Sequence, residues 1–177
     1  MGAGTADDER ALVAYGSRAG STAEIAEFVG SYLSAAGISV DVREVGRLDD
    51  LDLARYGRVI LGSPIRYDRC LPEVVSFVQS NREHFQRIRV ALFFTCLALA
   101  KPTERARRSA DRYAEQLAEL LPGVQVQDVG RFAGVLDSSR LSLLPRLFLR
   151  VLSVFNGVGE GDHRDWAAIE DWCRKIR

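Results

Sequence analysis

The turn Ser17-Arg18-Ala19-Gly20-Ser21-Thr22 sets three hydroxyls and a glycine between an apolar run and a helical pattern. The run is Ala11 to Tyr15; the pattern is Ile25, Ala26, Phe28, Val29 and Leu33. A strand feeding a helix through such a turn aims backbone N–H groups and the positive helix end at one spot, which suits phosphate. Ser21 and Glu24 also have the S-x-x-E spacing of a capping box, which would close a helix start with no ligand. That spacing leaves Ser17, Gly20 and Thr22 unexplained. No G-x-x-x-x-G-K-[ST] is present, so the turn is not built for a triphosphate and its metal. Gly16 and Gly20 stand four apart with no third glycine beyond, so the dinucleotide fingerprint is missing too. Hydroxyls without a lysine suit the dianionic phosphate of a phosphomonoester cofactor.

The elements that must position this turn alternate along the chain. The apolar run predicts a first strand, and Thr22–Ala35 a helix stopped by Gly37. Ile38–Val45 alternates as an outer strand does, and Arg58–Gly62 is a short apolar run suited to a buried central strand. Leu71–His84 has helical periodicity with Pro72 in its first turn, and Val90–Thr95 is a second buried strand. Pro102–Leu121 predicts a long amphipathic helix, Val124–Val135 a last strand and Asp165–Ile176 a last helix. Five strands interleaved with helices predict an α/β fold, an open parallel sheet covered on both faces. Ligands in such sheets bind beyond the strand C-termini, where the strand order reverses. The turn at Ser17–Thr22 lies on that edge, as do Ser63–Asp68 and Thr95–Lys101.

At 177 residues the chain is the size of one domain, and 47% hydrophobic with 27% charged residues is ordinary for a globular protein. Residues 1–9 read as a flexible lead, small and acidic, unlike a signal peptide. Cys70, Cys96 and Cys173 are far apart, with no C-x-x-C, and His84 and His163 lack ligand-spaced partners. Neither a metal site nor a disulfide framework is expected, and the cysteines read as small buried residues in a reducing cytoplasm.

Tyr15-Gly16-Ser17-Arg18-Ala19-Gly20-Ser21-Thr22 after a strand resembles the FMN phosphate loop of flavodoxins, a [ST]-x-x-G-x-T turn. Leu61-Gly62-Ser63-Pro64-Ile65-Arg66-Tyr67 is similar to the second FMN loop of one subgroup, the menaquinone-dependent protoporphyrinogen oxidases. Leu97, Lys101-Pro102, Tyr113-Ala114 and Asp165-Trp166 follow in that subgroup's order. The resemblance implies a flavodoxin-like sheet of order 2-1-3-4-5 and FMN as cofactor. It places Ser17, Arg18, Ala19, Gly20, Ser21 and Thr22 on the phosphate and Pro64, Ile65, Arg66 and Tyr67 beside the isoalloxazine. Thr95, Cys96, Leu97 and Ala98 become the third loop. Ala19 stands where many flavodoxins have a hydroxyl, and the acidic and aromatic residues usual in their third loop are absent.

Flavodoxins are acidic, whereas Lys101–Arg112 and Arg131–Phe155 each carry an excess of three positive charges. The segment 137–164 reads as an insertion before the last helix. Within it Leu141–Phe155 is apolar nearly all round, with Arg146 and Arg150 one turn apart. Such a segment is either buried or laid on a membrane surface, leucines in the acyl boundary and arginines at the headgroups. The resemblance implies oxidation of protoporphyrinogen IX with a menaquinone as acceptor, in the cytoplasm or peripherally at the inner face of the cell membrane. Arg66 is the candidate substrate contact, through propionate carboxylates, or else a counter-charge to the reduced flavin. No side chain is singled out as a catalytic acid, base or nucleophile, and nucleic acid is not an expected partner. The alternatives are an electron carrier with no small substrate of its own and an interaction module that has lost FMN.

Overall fold

Val59, Ile60 and Leu61 have no polar face, and a strand of that composition must be covered on both sides. The computed structural model, which describes residues 10–48, 51–101, 103–136 and 161–177, places them in β3 (Arg58–Pro64) at the middle of a five-stranded sheet. Around it lie β1 (Arg10–Tyr15), β2 (Ser39–Glu44), β4 (Arg89–Thr95) and β5 (Val126–Phe132), all parallel and ordered β2-β1-β3-β4-β5. The order reverses between β1 and β3, as expected for a flavodoxin-like sheet.

One face carries α1 (Ser21–Ala35) and α5 (Trp166–Ile176); the other carries α2 (Pro72–Ser80), α3 (Arg82–Phe85) and α4 (Glu104–Glu119). Under α1 and α5, Ile25, Val29, Leu33, Ile169, Trp172 and Ile176 pack on Val13, Ile60 and Phe93. Gly37 closes α1 with φ 87°, donating to the Ser34 carbonyl while Ile38 donates to that of Leu33. Asp165 caps α5 by accepting from the Ala168 N–H at 3.0 Å.

Phe93 on β4 lies in register with Gly62 on β3 and Gly130 on β5. A methyl group on either glycine would overlap aromatic carbon: the Phe93 ring at Gly62, and the Phe132 and Trp172 rings at Gly130. Both glycines are thus the space that the Phe93, Phe132 and Trp172 cluster needs, with centroids 5.5–6.1 Å apart.

Two expectations and one alternative reading need correction. Leu71–His84 is two helices, broken at Asn81, whose side chain donates to the Phe77 carbonyl at 2.8 Å. The last strand ends at Phe132, and Val135–Leu136 forms β6, paired antiparallel with β7 (Gly161–Asp162) in a separate ribbon. Ser21 is not a capping residue: the N-cap is Gly20, no side chain caps the helix, and Glu24 binds Arg164 instead. The lead 1–9 and the segment Leu141–Phe155 lie outside the described residues.

Candidate functional site

Gly20 takes φ 91° immediately before α1, a conformation open to glycine. Its N–H donates to Ser17 Oγ at 3.2 Å, folding the turn on itself. Its carbonyl receives the Glu24 N–H, so the N–H groups of Ser21, Thr22 and Ala23 have no acceptor within the helix. A fifteen-residue helix therefore presents a positive, uncapped end at the C-terminal edge of the sheet, with the Ser21 hydroxyl beside it. Arg18 does not add charge there: its guanidinium is 2.8 Å from Glu73 on α2. Thr22 is buried, and its hydroxyl lies 2.8 Å from that of Thr95 at the end of β4.

The other two expected loops reach the same edge. Ile65 donates to the Thr95 carbonyl at 2.8 Å and packs on the core beneath α2 and α4. Arg66 and Arg69 then exchange both backbone hydrogen bonds, at 2.9 and 3.0 Å, around a two-residue turn. Its central residues, Tyr67 and Asp68, have φ 50° and 60°, the form that tight hairpins favour. For a tyrosine that conformation costs about 1–3 kcal/mol and persists only where surroundings impose it. Here the Asp68 carboxylate accepts a short hydrogen bond from the Tyr113 hydroxyl and lies 3.3 Å from Arg112, both on α4. Tyr67 is left 91% exposed. Pro64 lies in register with Thr95. Cys96 donates its backbone N–H to the Phe132 carbonyl, and Leu97–Ala100 forms a 3-10 turn with Ala98 exposed.

A family model for the flavodoxin domain matches residues 12–160. The chain belongs to the flavodoxin-domain family. It is 27% identical over 174 residues to protoporphyrinogen IX dehydrogenase [quinone] of Escherichia coli K12, with 94% of each chain covered. Its fold is similar to that of oxidised flavodoxin 2 from Bacillus cereus, with a TM-score of 0.61 and 19% identity over 94% of this chain and 97% of the other. It is also similar to a flavoprotein solved with FMN from Lactobacillus acidophilus: TM-score 0.53, 20% identity, 70% of this chain and 93% of the other.

FMN is the cofactor of this family, and the donor set of the flavodoxin-domain turn fits its monophosphate: unpaired N–H groups, hydroxyls and no bulky side chain at Gly20. The thiols nearby do not offer covalent chemistry. Burial pushes Cys70 up to about 11 despite a hydrogen bond from Ser63. Burial also raises Cys96, and the Asp68 charge adds to it. Both are protonated at neutral pH. Among the described residues no cluster of ligating side chains could hold a metal ion, and no helix is long and apolar enough to cross a membrane.

Several residues of this edge carry no signal in the sequence. Gly134, just past β5, faces the turn, since a methyl group there would lie 3.5 Å from Ser21 Oγ. The Arg164 side chain is 8% exposed and clamps Glu24 of α1 at 2.5 Å and Asp162 of β7 at 2.6 Å, its guanidinium 4.5 Å over the Trp166 ring. It holds Asp162 down at about 2. Asp68 is tied to Tyr113 across 45 positions, beyond the reach of any local pattern.

Proposed function

We propose that the chain is an FMN-dependent dehydrogenase that oxidises protoporphyrinogen IX and passes the electrons to a menaquinone. The observation that carries this reading is the 27% identity to the quinone-linked dehydrogenase, which runs through 94% of both chains rather than through the cofactor loops alone. A second support is charge. The rim carries Arg66, Arg69 and Lys101, whereas Asp68 is already paired with Arg112.

FMN, when bound, supplies the two-electron chemistry. Six electrons and six protons leave the porphyrinogen, so three rounds convert it to protoporphyrin IX and reduce three quinones to quinols. The residues of this chain bind and orient. The Ser17 and Ser21 hydroxyls and the N–H groups of Arg18, Ala19, Ser21 and Thr22 hold the phosphate, while Gly20 shapes the turn through its N–H bond to Ser17 Oγ. Thr22 acts through Thr95, fixing the phosphate turn to the third loop. Pro64, Ile65, Arg66 and Tyr67 border one side of the ring and Thr95, Cys96, Leu97 and Ala98 the other. Arg66 meets a substrate carboxylate. In this reading the chain works as one domain and meets its quinone at the cytoplasmic face of the membrane, where Leu141–Phe155 is the candidate contact with the lipid surface.

The test is porphyrin fluorescence after anaerobic addition of protoporphyrinogen IX to flavin-loaded protein with a menaquinone analogue. Fluorescence that grows only when protein and quinone are both present supports the dehydrogenase. A correctly bound flavin with no growth leaves an electron carrier.

A further inference from the structure

We propose that Arg66 and Arg69 form a two-armed clamp at the rim of the flavin site, each guanidinium taking one carboxylate of a dianionic substrate. The identity of that substrate, a porphyrinogen with two propionates, rests on the function proposed above.

The two residues face each other across the tightest turn of the ligand edge. A pair that exchanges both backbone hydrogen bonds has Cα atoms about 5.5 Å apart and side chains on one face of the hairpin. Their neighbours Ile65 and Cys70 pack on the core beneath α2 and α4. Alternation therefore sends Arg66 and Arg69 to the other face, the side from which α1 and its uncapped N-terminus rise.

Like charges placed directly opposite each other destabilise a hairpin unless something sits between them. Among the described residues no carboxylate does. Asp68, the acid inside the turn, is committed to Tyr113 and Arg112, and Glu73 is taken by Arg18. Arg66 touches only the Tyr67 ring, at 5.9 Å, and Arg69 has no side-chain partner among the described residues. The turn that holds the pair is strained at Tyr67 and pinned from α4, so the two cations are held close against their repulsion. Two guanidiniums, each able to fork onto one carboxylate, select a ligand with two separate carboxylates over one with a single carboxylate or none.

The experiment measures equilibrium binding of protoporphyrin IX and of its dimethyl ester to flavin-loaded protein. Parent, Arg66→Gln, Arg69→Gln, the double variant and Arg87→Gln are compared. The last removes a charge just before β4, at the opposite edge of the sheet. The flavin spectrum reports that each variant is folded and loaded. Each single clamp variant is expected to weaken diacid binding about tenfold, the double variant more than either, and neither to change ester binding. Arg87→Gln should bind like the parent. The clamp is overturned if Arg69→Gln binds the diacid as the parent does, or if the parent binds ester and diacid equally. Binding is read apart from turnover. Arginine-dependent diacid binding without porphyrinogen oxidation removes the proposed activity and keeps the clamp; oxidation with an unchanged KM in Arg69→Gln does the reverse.

Discussion

The Thr22 and Thr95 hydroxyls meet at 2.8 Å, joining the first turn of α1 to the last residue of β4 across 73 positions of sequence. Both residues are almost wholly buried, so each hydroxyl has only the other to replace water. Removing one leaves its partner unsatisfied, at about 1–3 kcal/mol, whereas removing both is far milder. Thr22→Val and Thr95→Val should each lower the denaturation midpoint, and the double variant should lose less than their sum. Strictly additive losses would show that the hydroxyls are independent.

Gly20 is the second test of the turn. At φ 91° a β-branched residue is a severe outlier, and the N–H groups that follow would be turned away from the phosphate. Gly20→Val should lose its flavin on desalting while keeping its far-ultraviolet circular dichroism. A Gly20→Val protein that stayed yellow would refute the assignment of the turn.

Gly62→Ala probes packing away from the cofactor. The added methyl would push into the Phe93 ring, which is wedged against Phe132 and Trp172. Overpacking of this kind costs about 1–3 kcal/mol, enough to lower Tm by several degrees. Adding Phe93→Leu should recover part of the loss. If Gly62→Ala melts like the parent, the glycine is not holding space for the ring.

The Arg164 clamp has a pH signature. Its hydrogen bonds hold Asp162 at about 2, below the roughly 3.9 of an unfolded aspartate. A depressed folded pKa adds stability that is complete above about pH 4 and is lost as pH falls toward 2. The urea-midpoint gap between the parent and Asp162→Asn should be constant near neutrality and close on acidification. Because Asp162 is nearly half exposed, solvent keeps that gap modest. A gap that widened in acid would reverse the sign.

The sheet was legible because its inner strands are continuous apolar runs and its helices repeat at 3.6 residues, patterns set by burial alone. Even the stop at Gly37 could be read, since it is local chemistry. The turn at Ser17–Thr22 was legible as a strand-to-helix turn at the ligand edge but not as wiring. Serine, x, x, glutamate looked like a capping box, yet the Glu24 carboxylate went to Arg164, 140 positions away. Asn81 broke a helix by binding its own preceding turn, which periodicity does not register. The paired arginines stayed hidden for a further reason. A two-residue hairpin with positive φ is normally announced by asparagine or glycine, and here Tyr67-Asp68 is forced into it from α4.

The Glu24–Arg164 contact also sets an order in time. A chain emerging from the ribosome exposes β1, the phosphate turn and α1 long before residue 164 exists, yet α1 is pinned at its first turn by Arg164 and covered along its length by α5. Until then α1 packs on the sheet alone, and the flank that α5 will cover is open to water. The first turn of α1 therefore stays untethered at Glu24 until late in synthesis, and nascent chains stalled before residue 164 should hold the cofactor less tightly than the full chain.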